Sequence, residues 1–147
     1  MSSNPMKILL DHAHTKVDEA TKHLGELLAS EHACEVKLEM LMQYRVEYRG
    51  RFMQAAREGI GPDAWRNYSS FITKLDDAIN LQQNVVDQSK LMTANGQQKW
   101  MHERNRMKAF DALSQRQVAQ EQRKHNKQEQ TISDEHAVKH FRTKDEG

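Results

Sequence analysis

From residue 10 to residue 55, apolar side chains recur at alternating steps of three and four. The series holds Leu10, Ala13, Val17, Ala20, Leu24, Leu27, Glu31, Cys34, Leu38, Leu41, Arg45, Tyr48, Phe52 and Ala55, and twelve of these fourteen are apolar. Such spacing keeps one stripe of an α-helix apolar and is the seam of a coiled coil. A second series begins at Trp65, Tyr68, Ile72, Leu75 and Ile79 and resumes at Trp100, Glu103, Met107 and Phe110. Between them it weakens, through Gln82, Val86, Ser89, Thr93 and Gly96.

The helix breakers divide the chain at the same place. Asn4-Pro5 reads as a cap followed by proline at the first helical position. Gly59-Ile60-Gly61-Pro62 ends one helix and opens the next, with Asp63 as an acidic first-turn residue. No proline follows Pro62. The prediction is an all-α fold, a long antiparallel two-helix coiled-coil hairpin over residues 1–113, with helices 5–58 and 63–113 around a turn at 59–62. Folding the seams about that turn sets position n against 120 − n, so Phe52 meets Tyr68, Tyr48 meets Ile72, Leu41 meets Ile79 and Leu10 meets Phe110. Large residues then face small ones, Trp65 against Ala55, Leu24 against Gly96 and Trp100 against Ala20. Residues 114–147, rich in Gln, Lys, Arg and Glu, read as a polar helical extension that frays into a flexible tail. Ile132, Ala137, Val138 and Phe141 give it a short amphipathic character.

Composition sharpens this. With 37% hydrophobic residues, 29% charged and a mean hydropathy of -0.93 over 147 residues, a compact globule is disfavoured. Six glycines and two prolines are too few for a turn-rich β-fold. A net charge of +1 advertises neither nucleic acid nor membrane. One cysteine, Cys34, suits a reducing compartment, and Ile8-Leu9-Leu10 is too short for a signal-peptide core or a span. A cytoplasmic protein is expected.

Little in the chain suggests catalysis. Gly59 and Gly61 are followed by Pro62 instead of a phosphate-binding Gly-Lys-Ser/Thr, so no nucleotide hydrolysis and no cofactor are expected. His136 and His140 share a helical face, but no third ligand is near, and the expectation is a solvated tail without metal. Cys34 reads as a small buried hydrophobe facing Val86. Glu31 and Arg45 interrupt the first seam, either snorkelling at its edge or pinning register. From Lys99 to Lys127, eight Lys or Arg stand against Glu103, Asp111 and Glu121, a solvated face or a grip on an acidic surface. No aromatic residues interleave with them as base stacking requires.

The two flanks of the seam differ. One carries Ala64, Phe71, Ala78, Val85 and Met92 with Lys37 and Tyr44, the other Ser69, Asp76, Gln83, Lys90 and Gln97. A two-helix rod has no internal use for an apolar flank, so a partner is expected there.

These residues also carry a resemblance. Leu41-Met42-Gln43-Tyr44-Arg45-Val46-Glu47-Tyr48-Arg49, Gly59-Ile60, Trp65, Asn67-Tyr68 and Phe71-Ile72, with Val17-Asp18-Glu19-Ala20 and Leu24-Gly25-Glu26, resemble the flagellar export protein FliJ family over roughly residues 7–110. The resemblance implies a non-enzymatic component of the flagellar type III export apparatus, with the shape of a rotary-ATPase central stalk. It implies binding and activation of the export ATPase hexamer, contact with the cytoplasmic domain of the membrane export gate, and escort of export chaperones. It places the protein in the cytoplasm, peripheral at the inner membrane, in flagellum biogenesis and motility. For the gate it implies Lys37, Leu41, Tyr44, Tyr48, Phe71, Leu75, Ala78 and Gln82. For the ATPase, the basic residues Lys99, Arg104, Arg106 and Lys108 are the expected contacts. The alternatives are a generic coiled-coil spacer, the stalk of a related virulence secretion system, or a nucleic-acid-binding rod. The last would show affinity falling steeply with salt.

Overall fold

The structure, a computed structural model, describes residues 4–145. It is all-α: α1 spans Pro5–Glu58, α2 spans Pro62–Asp145, and no strand occurs among the described residues. The start of α1 is set by Asn4, whose Oδ1 accepts from the Met6 amide at 3.1 Å while its carbonyl accepts from Ile8. Gly59 ends α1 with a φ of 91°, a left-handed value that a β-carbon opposes. The turn is one residue shorter than the sequence predicts. Pro62 already belongs to α2, because proline lacks the amide that the first helical turn leaves unused and its φ is preset for a helix. The Gly61 carbonyl accepts from Trp65 at 3.0 Å and closes the first turn.

The helices gather into two compact units. One comprises Asp18–His102; the other comprises the described residues up to Val17 and from Glu103 onward.

Within Asp18–His102, α1 and α2 pack antiparallel in the predicted register. Phe52 meets Tyr68 with ring centroids 5.4 Å apart, and Thr93 Oγ1 reaches the Leu27 carbonyl at 3.5 Å. Leu24 and Leu27 crowd Gly96, where a β-carbon would stand 2.5 Å from Leu27 Cδ1. Every proposed seam position of α1 in this unit is buried or half-buried, from Ala20 to Ala55. Leu75, Ile79, Gln82, Val86, Thr93 and Gly96 are the buried line of α2, and Val86 is its most enclosed side chain, 2% exposed. Trp65 departs from expectation. It is half-exposed and leans on Phe52 at 4.9 Å, because its predicted partner Ala55 is too small to cover an indole in the last layer before the turn.

The weak middle of the seam is held by polar contacts that cross it. Gln82 Nε2 donates to the Cys34 carbonyl at 3.0 Å, while the one Thr93 hydroxyl hydrogen is shared between Ser89 O of its own helix at 3.0 Å and the more distant Leu27 carbonyl across the seam. Arg45 leaves the seam at its edge and pairs with Asp76, Nη1 to Oδ1 2.9 Å. Arg45 thus follows the snorkelling expectation, its guanidinium at the seam's edge on a carboxylate of the facing helix. Near the other end of this unit Trp100 Nε1 donates to Thr21 Oγ1 at 2.9 Å.

In the second unit Ala13 is buried, Leu10, Glu103, Met107 and Phe110 are half-buried, and Arg106 lies over the Phe110 ring at 5.7 Å. The half-buried positions end at Asp111, Ser114 and Gln117. From 118 to 144 every residue is exposed, yet the chain is helical to Asp145. Gln, Lys, Arg and Glu are strong helix formers and no breaker interrupts them. Side-chain pairs such as His125 with Glu129 at 3.2 Å add local support.

Candidate functional site

The seam determines what is left outside it. Tyr44 precedes the seam residue Arg45 by one, and Phe71 precedes Ile72 by one, so both fall on the same flank when the helices run antiparallel. They meet there edge to face, with centroids 6.1 Å apart. Tyr48, from the seam itself, backs both rings, 6.3 Å from Tyr44 and 4.3 Å from Phe71. Tyr68 and Phe52 continue the stack toward the turn. The result is an aromatic ladder whose inner rings are half-buried and whose Tyr44 rung is 45% exposed.

Of the eight residues assigned to a gate contact, Tyr44, Tyr48 and Phe71 come together in this ladder. Lys37 is exposed and Ala78 half-buried along the same flank, and Leu41 is half-buried in the seam. Leu75 and Gln82 are each 7% exposed. Gln82 spends its amide on the Cys34 carbonyl, so these two shape the flank from beneath. The four basic residues suggested for the ATPase are all exposed. Lys99 lies in the Asp18–His102 unit, and Arg104, Arg106 and Lys108 lie in the other.

Two exposed residues escaped the sequence reading of this flank, Met40 and Leu81, which are 66% and 67% exposed. The signal was present in the spacing. Leu81 stands three residues after Ala78 and four before Val85, and Met40 stands three after Lys37 and four before Tyr44.

The hollows along 117–142 are lined by residues of α2 alone and so have a single wall. No group of three or more His, Cys, Asp or Glu among the described residues is placed to hold a metal, and His136 and His140 stay a pair on an exposed helix. No helix among the described residues is long and apolar enough to cross a membrane.

Comparison with known proteins finds similar sequences along nearly the whole chain. The family model described as "Flagellar FliJ protein" matches residues 1–146. The flagellar FliJ protein of Salmonella typhi is 30% identical over 132 residues, 90% of each chain. That of Escherichia coli strain K12 is 30% identical over 129 residues, 88% of each.

Proposed function

The chain belongs to the flagellar FliJ protein family and is a component of flagellar protein export, and from that premise we propose that it is a non-enzymatic stalk and adaptor. In this reading it activates the export ATPase hexamer, docks on the cytoplasmic domain of the membrane export gate and escorts export chaperones. It works in the cytoplasm, peripheral at the inner membrane, and needs neither cofactor nor nucleic acid. Gate contact is assigned to the flank of Lys37, Tyr44, Phe71 and Ala78, shaped from within by Leu41, Tyr48, Leu75 and Gln82. ATPase contact is assigned to the basic residues Lys99, Arg104, Arg106 and Lys108, because clustered cations favour encounter with acidic loops.

One observation carries the gate assignment: an exposed Tyr44 braced edge to face on Phe71, with Tyr48 behind. Aromatic rings already held in place present large contact area for few torsions lost on binding, which is why they dominate interface energies. A mere spacer has no use for such an edge. The test is the double variant Tyr44→Ala with Phe71→Ala, titrated with the purified gate domain. Both residues lie beside the seam, so circular dichroism should remain helical and ATPase stimulation should persist. Loss of two anchors at about 2 kcal/mol each lowers gate affinity by two to three decades. Unchanged gate affinity would remove this flank from the reading.

A further inference from the structure

Beyond the Tyr44–Phe71 pair, the same flank of α2 continues as a second apolar line. Phe71, Ala78, Val85 and Met92 recur at steps of seven, and Leu81 stands between Ala78 and Val85 in the three-four rhythm. Leu81, Val85 and Met92 are all exposed, and α1 adds Met40 and Tyr44. This line is separate from the buried one through Leu75, Ile79, Gln82, Val86 and Thr93. A helix of two-stranded geometry needs one such line; α2 has two, both within the Asp18–His102 unit.

The form of the missing partner follows from the repeat. From Phe71 to Met92 the line extends over about 32 Å at 1.5 Å per residue. A seven-residue repeat stays on one side of a supercoiled helix for that whole distance, and the surface that follows it throughout is another helix with its own three-four seam. An irregular surface would touch it at one or two points. The sign of the partner's edges follows from charge. Position 37 of α1 and position 74 of α2 carry lysines. Glu47, three residues after Tyr44 and toward the turn, is the one acid in the series, and no Asp or Glu stands at 30, 33, 40 or 44 nor at 71, 78, 81, 85, 88 or 92, so the flank is positive on balance.

We propose that this flank receives an amphipathic α-helix of a partner protein as the third strand of a coiled coil. The helix packs its apolar seam on Phe71, Ala78, Leu81, Val85 and Met92 and carries Glu or Asp at the bordering positions opposite Lys37 and Lys74. The inference rests on reading Tyr44 and Phe71 as a docking edge and specifies what docks there.

The experiment uses the full chain and two designed peptides of about 28 residues, four heptads each, with identical apolar seams. One has Glu at its bordering e and g positions, the other Lys. The Glu peptide is expected to bind and the Lys peptide to bind at least about tenfold more weakly, since opposed charges at such edges set partner choice. Leu81→Asp with Val85→Asp should abolish Glu-peptide binding without loss of helicity, because both side chains are exposed. Lys37→Glu with Lys74→Glu should invert the preference between the peptides. Binding of neither peptide, equal binding of both, or binding indifferent to Leu81 and Val85 would overturn the proposal. Titration of the gate domain separates the two readings. Charge-selective peptide binding with no gate binding removes the gate and leaves the third helix standing. Gate binding that depends on Tyr44 and Phe71 but not on Leu81 and Val85 removes the third helix and leaves the gate.

Discussion

Gly50 and Gly59 make opposite demands of a side chain. Gly50 is exposed inside α1, and nothing lies within 4 Å of where a β-carbon would stand. Gly59 is equally open but holds a φ of 91°. Gly50→Ala should therefore stabilise the fold by about 0.5–1 kcal/mol, the difference in helix propensity. Gly59→Ala should destabilise it by about 1–2 kcal/mol, the cost of a left-handed L-residue. Urea denaturation followed by circular dichroism measures both, and equal effects of the two substitutions would contradict the assigned turn. Arg45 shows where residue-level reading stops. A cation in the apolar seam is visible in the sequence, but its partner Asp76 belongs to the flank of the other helix and is found only once register and side-chain direction are known.

At the scale of the elements, the seam was legible because a three-four rhythm sustained over fourteen positions of α1 does not arise from local composition. All fourteen are withdrawn from solvent, and the pairings Phe52 with Tyr68 and Leu27 with Thr93 follow from the turn's position alone. The middle of α2 was harder to read. Gln82 and Thr93 look like defects in an apolar series, yet both are buried with their donors satisfied, Gln82 by the Cys34 carbonyl of α1 and Thr93 by the Ser89 carbonyl of its own helix. The flank was only half legible. Its seven-residue repeat appears in the sequence, whereas the exposure of Met40 and Leu81 depends on how far around each helix the facing chain reaches. The stretch 118–144 has no buried position, so only backbone bonds and side-chain pairs worth about 0.2–0.5 kcal/mol each hold it. Its amides should therefore exchange with deuterium at near-intrinsic rates, while those around Leu75, Ile79 and Val86 are protected by orders of magnitude. Mass spectrometry of exchanged fragments resolves this, and equal protection across α2 would mean that the extension has found a surface of its own.

At the scale of the molecule, the two assigned contacts draw on different physics and so should fail separately. The gate edge is mainly aromatic and lies within the Asp18–His102 unit, so its affinity should fall with salt only by what the exposed lysines Lys37 and Lys74 contribute. The ATPase contact is assigned to cations, and the near part of the extension adds Arg123, Lys124 and Lys127 against Glu121 and Glu129, while over 118–147 as a whole six Lys or Arg are balanced by six Asp or Glu. Attraction between exposed charges weakens once salt shortens the Debye length to about 8 Å at 0.15 M. The structure also indicates where to cut. Among the described residues the last half-buried position is Gln117 and 118–144 are all exposed, so ending the chain there leaves every half-buried position of both units in place. The shortened protein should stay helical through residue 117 and bind the gate domain with unchanged affinity. Its stimulation of the export ATPase should fall, and a deficit that shrinks as salt rises would assign the lost contact to the local cations Arg123, Lys124 and Lys127. Measuring gate affinity and ATPase rate on the same preparation at low and high salt decides the matter. Full stimulation by the shortened chain would confine the ATPase contact to Lys99, Arg104, Arg106 and Lys108, and a parallel loss of gate binding would mean that the two contacts are one.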